Sequence, residues 1–125
     1  MPTSVTDPIN FPRAFEAALN AGDLEQVVAL YEENATLRVP SGQTRTGADA
    51  VRTEMGQLIA ANARISNTLR HALVSGSTAL ILVTYVLALT TPDGPAEVSG
   101  TATNVLRRDP QGSWRMAISN PQGIA

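Results

Sequence analysis

The stretch from Ala79 to Leu89 constrains this chain more than any other, because it is apolar almost throughout and interrupted only by Thr84. It is too short to cross a bilayer as a helix. Its Val, Ile and Leu content and its bounding turns, Ser75-Gly76-Ser77 before and Thr91-Pro92-Asp93-Gly94-Pro95 after, read as a central β-strand. Alternation puts Leu80, Leu82 and Val86 on one face and Ile81, Val83, Tyr85, Leu87 and Leu89 on the other. A strand apolar on both faces has to be covered on both faces. The rest of the chain must supply that cover.

Upstream, the apolar period is helical. Phe11 to Ala21 reads as a first helix, with Asn10 as its cap, Pro12 in the tolerant first turn and Gly22 as the stop. Asp23 opens a second helix, with Gln26 in capping-box position and Leu24, Val27, Val28 and Tyr31 as its buried stripe. Ala35 to Val39 is a short strand, and Ala48 to Ala61 a third helix capped by Thr46, with Val51, Met55, Leu58 and Ile59 on one face. Downstream of the central strand, Glu97–Arg107 and Ser113–Ser119 are the last strands, joined by Asp109-Pro110-Gln111-Gly112. The order implies an α+β fold: three helices around one short strand, then an antiparallel meander. At 125 residues the chain is one domain. Three helices can cover one face of the sheet, so a second copy is expected on the other, a homodimer joined through Ile81, Val83, Tyr85 and Leu87.

Composition removes whole classes of function. There is no Cys, which excludes thiolate metal sites, disulfides and Cys nucleophiles, and the single His71 excludes a two-imidazole centre. The nine basic residues, all Arg, face eleven acids for a net charge of -2, without the basic excess of a nucleic-acid binder. The start, Met1-Pro2-Thr3-Ser4-Val5-Thr6-Asp7, has neither the basic nor the apolar region of a secretory signal. A cytoplasmic protein with no membrane association, no metal and no cofactor is expected.

Ala17-Ala18-Leu19-Asn20-Ala21-Gly22-Asp23-Leu24, Val28-Ala29-Leu30-Tyr31 and Asn34-Ala35-Thr36 resemble the nuclear transport factor 2-like superfamily, and within it the SnoaL-like and ketosteroid-isomerase-like small proteins. Gly100-Thr101-Ala102-Thr103, Val105-Leu106-Arg107-Arg108, Gly112-Ser113-Trp114-Arg115 and Asn120-Pro121-Gln122-Gly123 resemble a bacterial branch of it. The resemblance implies one domain over residues 1–125, its core about 10–123: a cone-shaped antiparallel sheet wrapped around the helices, dimeric through its convex face, with an apolar pocket inside. Carried over by alternation, that geometry turns Leu82, Thr84 and Val86 toward the pocket with Thr103 and Ser119, and makes Val39 and Phe15 part of its wall. In the resembling steroid isomerases an Asp base works with a Tyr and a protonated Asp as oxyanion donors. The corresponding positions here are Val39, Phe15 and, within about one residue, Thr103. Phe and Val can neither move a proton nor donate to an oxyanion, so steroid isomerisation is not expected.

His71 has the side chain best suited to proton transfer near neutrality, although a His filling a half-buried sheet position explains it as simply. Thr84, Thr103 and Ser119 can orient a guest or, in the case of the threonines, merely suit a strand. Asn120-Pro121 can present an amide to the pocket mouth or equally be the turn that ends the last strand; Arg38, Arg107 and Arg108 can pair with a carboxylate, though exposed charges on edge strands explain them more simply. The leading expectation is a homodimer holding a small hydrophobic molecule. The alternatives are a lyase, isomerase or hydrolase using His71 on a polyketide-, terpene- or steroid-like substrate, and a non-catalytic association module.

Overall fold

A computed structural model describes residues 4–124. A 3-10 turn at Pro8–Asn10 leads into α1 (Phe11–Asn20), followed by α2 (Leu24–Ala29), β1 (Tyr31–Arg38), β2 (Thr44–Thr46), α3 (Ala48–Ala60), β3 (Arg64–Ser75), β4 (Thr78–Thr91), β5 (Gly94–Arg108) and β6 (Trp114–Ser119). The strands form one six-stranded sheet in the order β2-β1-β6-β5-β4-β3. The meander β3-β4-β5-β6 is antiparallel, while β1 joins β6 in parallel and carries β2 at the edge.

Local chemistry accounts for the element ends, with a few departures from the sequence reading. Asp23 caps α2 through its side chain, accepting from Gln26 N at 3.1 Å. Asn10 makes no capping bond, because Asp7 has already started the helical turn by accepting from Ile9 N. Gly47, at φ 108°, rather than Thr46, precedes α3, since Thr46 is held in β2 by its pairing with Thr36. Helix α2 stops at Ala29, so Tyr31 belongs to β1, where it pairs with Met116.

The helices lie on one face of the sheet. Helix α1 is sewn to the edge strand β3 by its own side chains: Asn20 accepts from Ile65 N at 2.7 Å and donates to Ile65 O at 2.9 Å, and Glu16 accepts from Asn67 N at 2.7 Å. These bonds satisfy edge groups that would otherwise invite another strand. Phe11 and Leu19 of α1, Val27 of α2, Val51 of α3 and Leu106 of β5 are buried in the core between helices and sheet.

The two faces of β4 are the reverse of the expectation. Ile81 and Val83 are 1% and 4% exposed and belong to the helix-covered core, whereas Leu80 and Val86 are 37% and 42% exposed on the outer face. The outer residues Leu82, Thr84 and Val86 sit opposite His71, Thr68 and Ser66 on β3 and opposite Thr103, Thr101 and Ser99 on β5. The inner residues Ile81, Val83 and Leu87 sit opposite Ala72, Leu69 and Ile65 on β3. Summed across the sheet, the odd-numbered face of β4 is the more apolar, and burial follows the face rather than the strand.

Candidate functional site

A cavity of about 480 Å³ lies between the inner face of the sheet and the helices. Phe11, Phe15 and Leu19 reach it from α1, Met55 and Leu58 from α3, and Ile81, Val83 and Leu87 from β4. Leu37 and Val39 close the β1 side. The same spacing that makes α1 amphipathic aims Phe15 at the sheet, where its ring meets Tyr31 edge-on with centroids 6.4 Å apart.

Few polar groups enter this space. Tyr31 is 4% exposed, and its hydroxyl points at Met55 Sδ, 3.9 Å away. Burial pushes its phenol well above the ordinary value, and a hydrogen bond with Ser119 offsets part of the rise. Tyr85 lies over Gly100, where a Cβ would stand 3.1 Å from the phenol oxygen, and it donates to Pro121 O at 2.7 Å. Burial raises the Tyr85 phenol as well. Asn67 donates to Pro12 O at 3.0 Å, and Gln122 to Val39 O at 2.9 Å. Asn104, 8% exposed, accepts from Asn120 N at 3.0 Å. The charged lining residues, Arg38 and Glu54, are partly exposed. Such a site can desolvate an apolar guest and offer it neutral hydrogen-bond donors. Among the described residues no group of three His, Cys, Asp or Glu side chains is placed to hold a metal ion, and no helix is long and apolar enough to cross a membrane.

Of the site residues expected from sequence, Phe15, Val39 and Ser119 line the cavity. Leu82, Thr84, Val86 and Thr103 do not, because all four lie on the outer face; Thr84 accepts there from Arg70 Nε at 3.1 Å, and Thr103 from Asn120 Nδ2 at 2.9 Å. His71 is exposed on the outer face opposite Leu82, with the whole sheet between it and the cavity, so the acid/base role assigned to it is not available there. Ile81, Val83, Tyr85 and Leu87, expected at a dimer contact, are cavity wall instead. The sequence reading missed Tyr31 and Asn104. Tyr31 was hidden by its assignment to α2. Asn104 follows Thr103 directly, and aligning β5 with β4 opposite Ile81 would have found it.

Solved structures with this architecture include an NTF2-like protein with a cystatin-like fold from Novosphingobium aromaticivorans, 18% identical over 93% of this chain and 79% of that one, TM-score 0.70. A ketosteroid isomerase-like protein from Erwinia carotovora atroseptica is 18% identical over 92% of both chains, TM-score 0.73. A candidate calcium/calmodulin-dependent protein kinase type II association domain from Thiobacillus denitrificans is 22% identical over 95% of this chain and 98% of that one, TM-score 0.76. At these identities the likeness is one of fold: an α+β architecture of the kind described for two of the similar structures as cystatin-like. Within that class the chain belongs to the SnoaL-like domain family, which matches residues 13–115. No curated protein matches it.

Proposed function

We propose that this chain is a single SnoaL-like domain that binds a small hydrophobic molecule inside the sheet-and-helix cavity and works as a homodimer. The observation that carries the binding reading is the 480 Å³ space walled by Phe15, Met55, Ile81, Val83 and Leu87, which the protein's own side chains leave unfilled. Affinity then comes from desolvation. In a series of n-alkylbenzenes each added methylene is worth at most about 0.8 kcal/mol, roughly fourfold in Kd, until the space is full. Calorimetric titration and ligand-dependent thermal shift read this directly. Filling the space with Leu87→Trp should abolish binding while Leu82→Ser on the outer face leaves it intact. A protein that takes up no member of the series refutes the reading.

The homodimer is carried by the outer face, where Leu73, Leu80, Val86 and Ile118 are 60%, 37%, 42% and 47% exposed. An association domain among the similar structures supports the same reading. Light scattering at micromolar concentration should give twice 13.2 kDa, and Leu80→Glu should return a folded monomer. A wild-type monomer at that concentration removes the dimer from the proposal. Steroid isomerisation is no part of it, since apolar Phe15 and Val39 face the cavity where that chemistry needs a donor and a base.

A further inference from the structure

The sheet has a gap beside β5. Strand β6 ends at Ser119, and the pair of Ile118 with Val105 is its last with β5. Residues Gly94–Asn104 therefore pair with β4 along one edge and, among the described residues, meet no strand along the other. The segment Asn120–Gly123 lies in that gap: Thr103 N donates to Asn120 O at 2.9 Å, and Gly123 stands against Thr101 O. Pro121 and Gln122 thereby become part of the cavity wall. Two side chains tie them down, Tyr85 donating to Pro121 O at 2.7 Å and Gln122 donating to Val39 O at 2.9 Å. Gly100 has no Cβ to stand beneath the Tyr85 hydroxyl, so the ring can lie over β5 and reach the segment.

One polar atom of this segment is badly placed. Asn120 spends its amide nitrogen on Thr103 Oγ1 at 2.9 Å and Gly123 O at 2.7 Å, while its Oδ1 is buried with no donor among the described residues. Turning the amide over gives no relief, because it would set Oδ1 against the carbonyl oxygen of Gly123. A buried acceptor without a donor is costly, and displacing the segment returns it to water. The closed position thus carries a cost that opening removes, and such a segment opens locally at low free energy. We infer that Asn120–Gly123 is a strap across the cavity, latched by Tyr85 and Gln122, and that the guest enters and leaves by its displacement. The inference rests on the ligand-binding reading and adds to it the route and the residues that control it. Most other lining residues stand on helices or paired strands, where passage would break backbone bonds, whereas Pro121 and Gln122 are held by side chains.

The test follows N-phenyl-1-naphthylamine, a neutral probe that fluoresces in apolar surroundings, by stopped flow: mixing gives entry, and a chase with excess n-butylbenzene gives exit. Gly123→Ala sets a Cβ against Thr101 O at a φ of 59°, which loosens the strap from a residue outside the cavity lining. Entry and exit should both quicken by about fivefold, with Kd moving less than about twofold, because a gate acts on both directions alike. Tyr85→Phe keeps the ring and removes one latch bond, so entry should quicken by about two- to tenfold. A phenol that only contacted the guest would change exit and leave entry alone. Should Gly123→Ala fail to fold, Tyr85→Phe decides alone. An entry rate unchanged in Tyr85→Phe, or in a folded Gly123→Ala, overturns the inference while leaving hydrophobic binding in place. If the probe does not bind at its solubility limit, the binding reading and the inference fall together.

Discussion

Leu80 and Ile81 are adjacent on β4, similar in volume, and separated by the whole thickness of the sheet in their surroundings. Truncating each to alanine measures which face is the inside. Ile81 is 1% exposed and packs in the core beneath α1 and α3. Losing its outer carbons forfeits transfer energy of about 0.8 kcal/mol per methylene, and the enlarged void adds to that. Because part of this side chain already borders the cavity rather than packed neighbours, the expected cost lies at the lower end of the usual range, about 2–3 kcal/mol. Leu80, 37% exposed with no helix over it, should cost under about 1 kcal/mol in a monomer. Urea denaturation of both variants in dilute protein gives the comparison, and repeating it at rising protein concentration isolates the dimer contribution, which should appear for Leu80 and leave the Ile81 deficit unchanged. Equal losses for the two variants in dilute protein would refute the assignment of faces, and the cavity wall with it.

Two further outcomes follow from the same structure. Burial raises the Tyr31 phenol above its ordinary 10.0, so the unfolded chain gives up that proton first; stability is fully present below pH 10.0 and falls as pH rises beyond it. Tyr31→Phe should flatten this alkaline slope in denaturation curves, the remainder belonging to Tyr85, and an unchanged slope would count against a buried phenol. Gly123 sits at φ 59° with Thr101 O only 2.6 Å from where a Cβ would be, so Gly123→Ala should cost about 1 kcal/mol or more and speed amide hydrogen exchange around Gln122; unaltered exchange would show that residues 120–124 do not depend on this close approach.

Read from the sequence alone, the three helices, a strand between the second and third, and the closing meander are legible in order, because they rest on local chemistry: the cap at Asp23, the stop at Gly22, the helical stripe of α3 and the turns at Gly76, Gly94 and Gly112. The short β2 and the start of β1 at Tyr31 are not legible, since both depend on pairing with distant strands. The run Ala79–Leu89 also announces a central strand apolar on both faces. Which side holds the cavity is another matter. A strand apolar on both faces carries the same periodicity in either orientation, so the choice falls to its neighbours, Ser66, Thr68, Ser99 and Thr101 on one face against Ile65, Leu69, Ala102 and Leu106 on the other. Those neighbours count only once the register is known, and register comes from long-range pairing and from bulges at Leu69–His71 and Val105–Leu106. The sequence thus determined an α+β chain with a central strand apolar on both faces. Tertiary pairing alone sent His71, Thr84 and Thr103 outward and turned Tyr31 and Asn104 in, because a side chain's face depends on the strand beside it and not only on its own.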